Sequence, residues 1–382
     1  MKKQVLASTK PGYELPVEEA TLFSGKSAGI CYMSDTIETL FSEEEEKTLK
    51  RAKGTLESGH HSVFGHPGYN FSFEEIPKIM AMILNNEKEY NTSEKSARYT
   101  KMAASKEEEV LYNKWIEIYE KEISKKYPDM AEKQAHKLAM ENARYLISVF
   151  TPATSMEYTT SFRQLNSILH WCDEFVQTAE DTEFNMLLKP YLKEFSEMCA
   201  ELKLEKLKDT KNRGFSLFAK RERKEEWGEN YCCNYMATFA QVAQAQRHRT
   251  LAYEISIPAV KDATYFVPPI IRGTELEEEW LKDIKSLGAK YPQGMLVKVN
   301  ERGTVENFIL KCKERLCGCA QLEVAMQTKA TLERYLENTK ETNKEVYEYL
   351  LQYSKGARCT FPDYKCTSPC VWGPKNAFER MV

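Results

Sequence analysis

Apolar and polar positions recur with two periods along this chain, and the periods locate its elements. Tyr69-Asn70-Phe71-Ser72-Phe73-Glu74 alternates at period two, which predicts a half-buried strand. Pro77 to Leu84 is a continuous apolar run with proline suited to a first turn, which predicts a helix. Ser42 to Ser58 reads as a polar helix, Asp129 to Phe150 as a long amphipathic helix, and Thr160 to Asp173 as another. In the second half, Asn234 to Leu251 is rich in alanine and predicts a helix on which Gln244, Arg247 and His248 share a face. Thr264 to Pro269 is extended. Thr304 to Tyr335 predicts one helix, with an apolar stripe through Phe308, Cys312, Leu316, Cys319 and Ala320, flanked by Arg315. Between the halves, Leu202 to Glu229 is almost all charged and predicts a linker that few core contacts cross. The two halves carry a similar order of elements. That predicts a diverged internal duplication with a period of a whole domain, divided as 1–205 and 206–382.

Composition narrows the function classes. A chain of 382 residues, 42% hydrophobic, is long enough for two cores. A net charge of −3 argues against a surface for nucleic-acid polymer, although a mononucleotide needs only a few arginines. The amino terminus has no apolar core of signal-peptide length, and no run is long enough to span a membrane. Eleven cysteines, an odd number spread through helix-like segments, predict reduced thiols and a cytoplasmic location.

The candidate chemistry sits in two segments. Gln244-Ala245-Gln246-Arg247-His248-Arg249 offers two guanidinium forks and an imidazole, suited to an anionic or electron-rich planar ligand. The Ala-rich stretch before it predicts that it ends on a buried element. Glu94-Lys95-Ser96-Ala97-Arg98-Tyr99 offers a hydroxyl, a backbone amide beside a small residue, and an arginine. Together they form a clamp for one phosphate.

These residues resemble the flavin-dependent thymidylate synthase family, ThyX. Its signature is Arg-His-Arg, seven residues, then Ser, preceded by His-x-Ser-Val-x-x-His. The first half holds His60-His61-Ser62-Val63-Phe64-Gly65-His66, and then Asn86-Glu87-Lys88, seven residues, and Ser96-Ala97-Arg98-Tyr99. The spacing is kept and the triplet is replaced. Ala143-Arg144-Tyr145-Leu146 and Ser161-Phe162-Arg163 resemble two further family segments, whereas the late Arg and His fall near Cys172 and Val176. The second half shows the reverse. Arg247-His248-Arg249 is intact, with Gln244 at the family's substrate-contacting glutamine. Arg315 and Ala320-Gln321-Leu322-Glu323-Val324 resemble the late segment, Cys319 replaces its His, and Pro258 occupies the clamp's Arg position.

The resemblance implies an α+β fold of two ThyX-like domains, each a small, mainly antiparallel sheet with long helices packed on it. It implies reductive methylation of dUMP to dTMP, with FAD as cofactor and with NADPH and methylenetetrahydrofolate as co-substrates. No enzyme nucleophile is needed. By the resemblance, Ser96, Ala97, Arg98 and Arg144 hold the phosphate. Gln244, Arg247 and Arg315 hold and polarise the uracil, the two arginines being the catalytic pair. His60, Ser62, Glu94, Arg163, Arg247, His248 and Arg249 hold the flavin. A fused pair of halves implies a homodimer that mimics the family's tetramer. Two alternatives stay open: the same chemistry, or hydroxymethylation, on another pyrimidine nucleotide, and a non-catalytic nucleotide-binding regulator.

No metal is assigned to the site. Cys359, Cys366 and Cys370 form a possible zinc knuckle that needs a fourth ligand, for which Cys317 or Cys319 stands in the same half; the alternative is reduced thiols in a packed tail. The Cys232-Cys233 pair reads as core packing.

Overall fold

The computed structural model of the chain describes residues 1–9, 15–32, 36–95, 102–208, 213–367 and 369–382. It divides into two compact units, Met1–Lys95 with Pro152–Ser216, and Ser96–Thr151 with Leu217–Val382. Each is a small antiparallel sheet with helices, as the α+β expectation has it.

The first unit is built on a sheet of β1 (Lys2–Ser8), β2 (Gly68–Ile76), β3 (Tyr90–Glu94) and β4 (Thr154–Ser161), in the order β1-β2-β4-β3. The period-two pattern of β2 sends Tyr69, Phe71 and Phe73 to the buried face, where neighbouring rings stack 5.5 and 5.3 Å apart. Helices Phe162–Thr178 and Glu183–Met198 cover that face; Phe195 meets Phe73 at 5.5 Å. The apolar run after β2 forms helix Lys78–Leu84 with Pro77 as its N-cap, and the polar helix runs Glu45–Glu57. The helix expected from Thr160 starts at Phe162. Thr160 and Ser161 complete β4, and the Ser161 hydroxyl caps the helix by accepting the Gln164 amide.

The second unit's sheet has β5 (Asn230–Thr238), β6 (Ala252–Ser256) and β7 (Leu296–Thr304), ordered β5-β7-β6. Four expectations are adjusted here. Asn234 to Thr238 is strand, fully paired with β7, and the helix is only Phe239–Ala245. Sheet pairing overrides the alanine signal. The helix expected over Thr304 to Tyr335 is two helices, Val305–Arg315 and Leu322–Thr339, parted by a turn at Gly318. The helix expected over Asp129 to Phe150 covers only Glu132–Ala143 and then tightens into a 3-10 turn, Arg144–Leu146. Thr264 to Pro269 forms no strand; Tyr265 makes one isolated bridge to Met295.

Both sheets place their last strand in the middle, β4 between β2 and β3, and β7 between β5 and β6. In both, the first of these three strands leads into a seven-residue helix, and the last leads into a helix capped by a hydroxyl, Ser161 or Thr304.

The unit boundary departs from the division at 205/206, because Ser96–Thr151 groups with the second unit. Helix Lys106–Lys126 brings Trp115 edge-on against Trp280 at 4.9 Å, with its indole N–H donating to Asp283. The expected linker is not bare either. Leu207, Phe215 and Leu217 are buried in it. No helix among the described residues is long and apolar enough to cross a membrane.

Candidate functional site

Four of the expected site residues meet in the second unit, around the ends of helix Phe239–Ala245. Thr238 caps its start. The Thr238 hydroxyl accepts the Gln241 amide at 3.0 Å and donates to Glu323 Oε2 at 2.7 Å, while the Thr238 N–H donates to Glu323 Oε1 at 2.9 Å. At the other end, Gln244 Nε2 donates to Gln321 Oε1 at 2.5 Å. Residues 321 and 323, at the start of helix Leu322–Thr339, therefore grip both ends of this short helix.

Gln321 Oε1 also accepts from Arg144 Nη2, and Gln321 Nε2 donates to the Tyr145 hydroxyl. Tyr145 donates in turn to Glu323 Oε2 at 2.9 Å. Arg144 is only 6% exposed, and among the described residues its Nε has no hydrogen-bond partner. A buried guanidinium N–H with nothing to bond carries a desolvation cost, which an incoming acceptor would remove. Burial pushes the Tyr145 phenol well above its usual range, and the Glu323 carboxylate beside it adds to the shift. The Glu323 carboxyl is itself pushed up by burial.

Arg315 closes the arrangement. Its Nη2 donates to the Gln244 carbonyl at 3.2 Å, placing a cation at the end of the short helix, and its Nε donates to His248 Nε2 at 2.8 Å. That bond needs a lone pair on Nε2, so the imidazole is neutral with its proton on Nδ1. Burial, then the nearby charges of Arg315 and Lys311, push the His248 pKa down to about 2. Lys311 is fully buried against Glu301 at 2.6 Å, and Tyr231 and Tyr235 also donate to that carboxylate. Gln244, Arg247 and His248 do not share a helical face, because the helix stops at Ala245; Arg247 and His248 sit in the turn beyond it. Arg247 is half-buried and Arg249 is exposed.

The remaining described candidates lie in the first unit. His60 and Ser62 are exposed at the 3-10 turn His61–Gly65. Arg163 is exposed and lines a cleft of about 550 Å³, together with Lys88, Arg213, Gln164 and Gly65. Glu94 is engaged at the end of β3. Its carboxylate pairs with Lys78 and accepts from Asn85 at 3.3 Å and Thr154 at 3.2 Å. Glu87, where the family triplet would place its histidine, accepts from the Ser216 amide at 2.6 Å and hydroxyl at 3.0 Å. Ser96, Ala97 and Arg98, the phosphate clamp, lie outside the described residues.

Tyr145, Gln321 and Glu323 stand within motifs of the sequence that assign them no role. Their role comes from mutual contact across residues 145 to 321, which spacing along the chain does not encode.

Two amides and two guanidiniums at one place suit a planar ring with adjacent donors and carbonyls, carried by an anionic group. Residues 19–199 match the model of the family described as thymidylate synthase complementing protein, Thy1. Among solved structures, the chain is similar to flavin-dependent thymidylate synthase ThyX from Helicobacter pylori, determined in complex with FAD and dUMP. The identity is 15%, covering 53% of this chain and 100% of that one, with a TM-score of 0.29. No curated protein matches the chain.

Proposed function

We infer, on the premise that residues 19–199 belong to the Thy1 family, that the protein is a flavin-dependent thymidylate synthase-like enzyme. Its reaction on this reading is reductive methylation of dUMP, with methylenetetrahydrofolate as carbon donor and NADPH as reductant. The observation that carries the reading is the convergence of Arg144 and Gln244 on Gln321, with Arg315 bonded to the Gln244 carbonyl.

In this reading Gln244 and Arg315 hold the uracil edge. Arg247 stands in the same turn, and the unpartnered Nε of Arg144 turns to the phosphate. Ser96, Ala97 and Arg98 complete the clamp. An arginine at a uracil carbonyl stabilises the negative charge that develops there, and preorganised charge of this kind is the strongest lever open to an enzyme without a nucleophile. Neutral His248 positions Arg315 by accepting its Nε–H, so the guanidinium needs no reorganisation during reaction.

Two separate places, one in each unit, offer residues suited to FAD. Arg163, Lys88 and Arg213 line a cleft suited to a pyrophosphate, with His60 and Ser62 on the turn that ends at its lining residue Gly65. Arg247 and Arg249 offer guanidiniums to a ring edge. Bound there, the flavin supplies the hydride. The matching strand order of the two sheets supports a tandem duplication; from a fused pair of halves we propose a homodimer that mimics a tetramer. The Glu87 carboxylate, held by Ser216, supports the loss of a flavin triplet from the first half.

The test is binding followed by turnover. Purified protein is expected to be yellow or to take up FAD, and then to release tritium from dUMP labelled on the uracil ring. Nucleotide binding without flavin uptake would favour a non-catalytic regulator. Substrate profiling separates dUMP from other pyrimidine nucleotides.

A further inference from the structure

The ten cysteines with described side chains fall into two classes. Cys172, Cys199, Cys232, Cys233 and Cys312 are buried, which is the usual state of an unreactive thiol. Cys317, Cys319, Cys359, Cys366 and Cys370 are half-buried or exposed, and all stand between the turn at Gly318 and the tail. Reduced thiols kept for packing would not be concentrated at the surface of one segment.

The tail is folded back on that turn. Arg358 N–H donates to the Leu316 carbonyl at 2.6 Å, which sets Cys359 beside Cys317. Cys370 Sγ lies so close to Gly318 that a Cβ there would stand 2.6 Å from it. The Cys319 N–H donates to Cys317 Sγ at 3.4 Å, the kind of amide bond that supports a metal-bound thiolate. Buried Arg380 donates to the Gly318 carbonyl and, at 2.6 Å, to the Ala320 carbonyl, fixing the turn from the other side. A cavity of about 260 Å³ opens here, and Cys319, Cys370 and Arg380 line it.

We propose that Cys317, Cys319, Cys359 and Cys370 bind one zinc ion, which staples the tail to the turn preceding Gln321. Among the described residues no three metal-ligating side chains are already gathered to hold an ion; on this proposal the thiols close on the metal as it binds. Four thiolates are the ligand set of a closed structural zinc site. This stretch also needs a staple, because among the described residues beyond 351 its helices are only Arg358–Thr360 and Gly373–Asn376. Cys366 also lies near Cys359 and is exposed; we assign it no ligand role, and its serine variant tests that.

The full chain, reduced, loaded with zinc and desalted, is analysed for metal by mass spectrometry. About one zinc per chain is expected, falling below about a tenth in Cys317→Ser and Cys370→Ser and unchanged in Cys366→Ser. Cobalt added to the reduced wild-type protein is expected to show thiolate charge transfer and the intense visible bands of a tetrahedral site. That measurement stands even if the serine variants fail to fold. A wild-type chain that keeps no zinc and shows no cobalt bands overturns the proposal, as does full zinc retention by the Cys317 and Cys370 variants. A Cys317–Cys370 disulfide that persists in reductant with no metal bound overturns it too.

Discussion

His248 ties the candidate site to pH. Its folded pKa, about 2, lies below the ordinary 6.5. Between those values the unfolded chain binds the extra proton at this residue, so the His248 contribution to stability rises with pH through that window and is constant above 6.5. The urea midpoint of the wild-type protein is expected to fall between pH 7 and pH 5, and His248→Asn is expected to flatten much of that fall. An unchanged slope in the variant would place the titrating group elsewhere. Gln321→Leu removes the acceptor shared by Arg144 and Gln244. It is expected to cost roughly 1–3 kcal/mol of stability and to weaken dUMP binding about tenfold or more, read by thermal unfolding and by nucleotide titration. Arg144, Gln244 and Arg315 were legible as candidates because arginine and glutamine in a motif announce polar chemistry. Gln321 and Glu323 were not, because an orienting residue is defined by what it touches.

At the scale of elements, the segment that carries Arg144 is held by one carboxylate. Ser105 and Glu108 form a capping box at the start of helix Lys106–Lys126. Glu108 also accepts from the Ser148 amide and the Thr151 hydroxyl, both at 2.8 Å, just past the 3-10 turn of Arg144. Ser105→Ala is expected to cost about 1 kcal/mol, since only the cap is lost. Glu108→Ala is expected to cost more and to weaken nucleotide binding as well, because the turn after Arg144 loses its anchor. Equal effects of the two substitutions on binding would contradict that role. Strand β2 and helix Lys78–Leu84 were legible because local pattern and tertiary environment agree there. The alanine-rich stretch from Asn234 misled because its first five residues pair with β7, and a continuous apolar stripe concealed the break at Gly318. Neither sheet pairing nor a turn that packs under a tail leaves a local signature.

At the scale of the molecule, the two units differ in what they offer. The second gathers the amides and guanidiniums suited to a nucleotide ring. The first offers a cleft lined by Lys88, Arg163 and Arg213. The sequence suggested two halves, but the exchange of residues 96–151 into the second unit lay beyond it, because long-range packing such as Trp115 on Trp280 decides that assignment. The exchange brings Arg144 and Gln244 into one network although they stand in opposite halves of the sequence. The direct measurement is tritium release from ring-labelled dUMP by FAD-loaded protein with methylenetetrahydrofolate and NADPH, comparing wild type with Arg315→Ala. The expected result is release by the wild type and a loss of roughly 10²-fold or more in the variant, with the flavin spectrum retained. Equal release by the two proteins, or none by a wild type that binds both FAD and dUMP, would contradict the account.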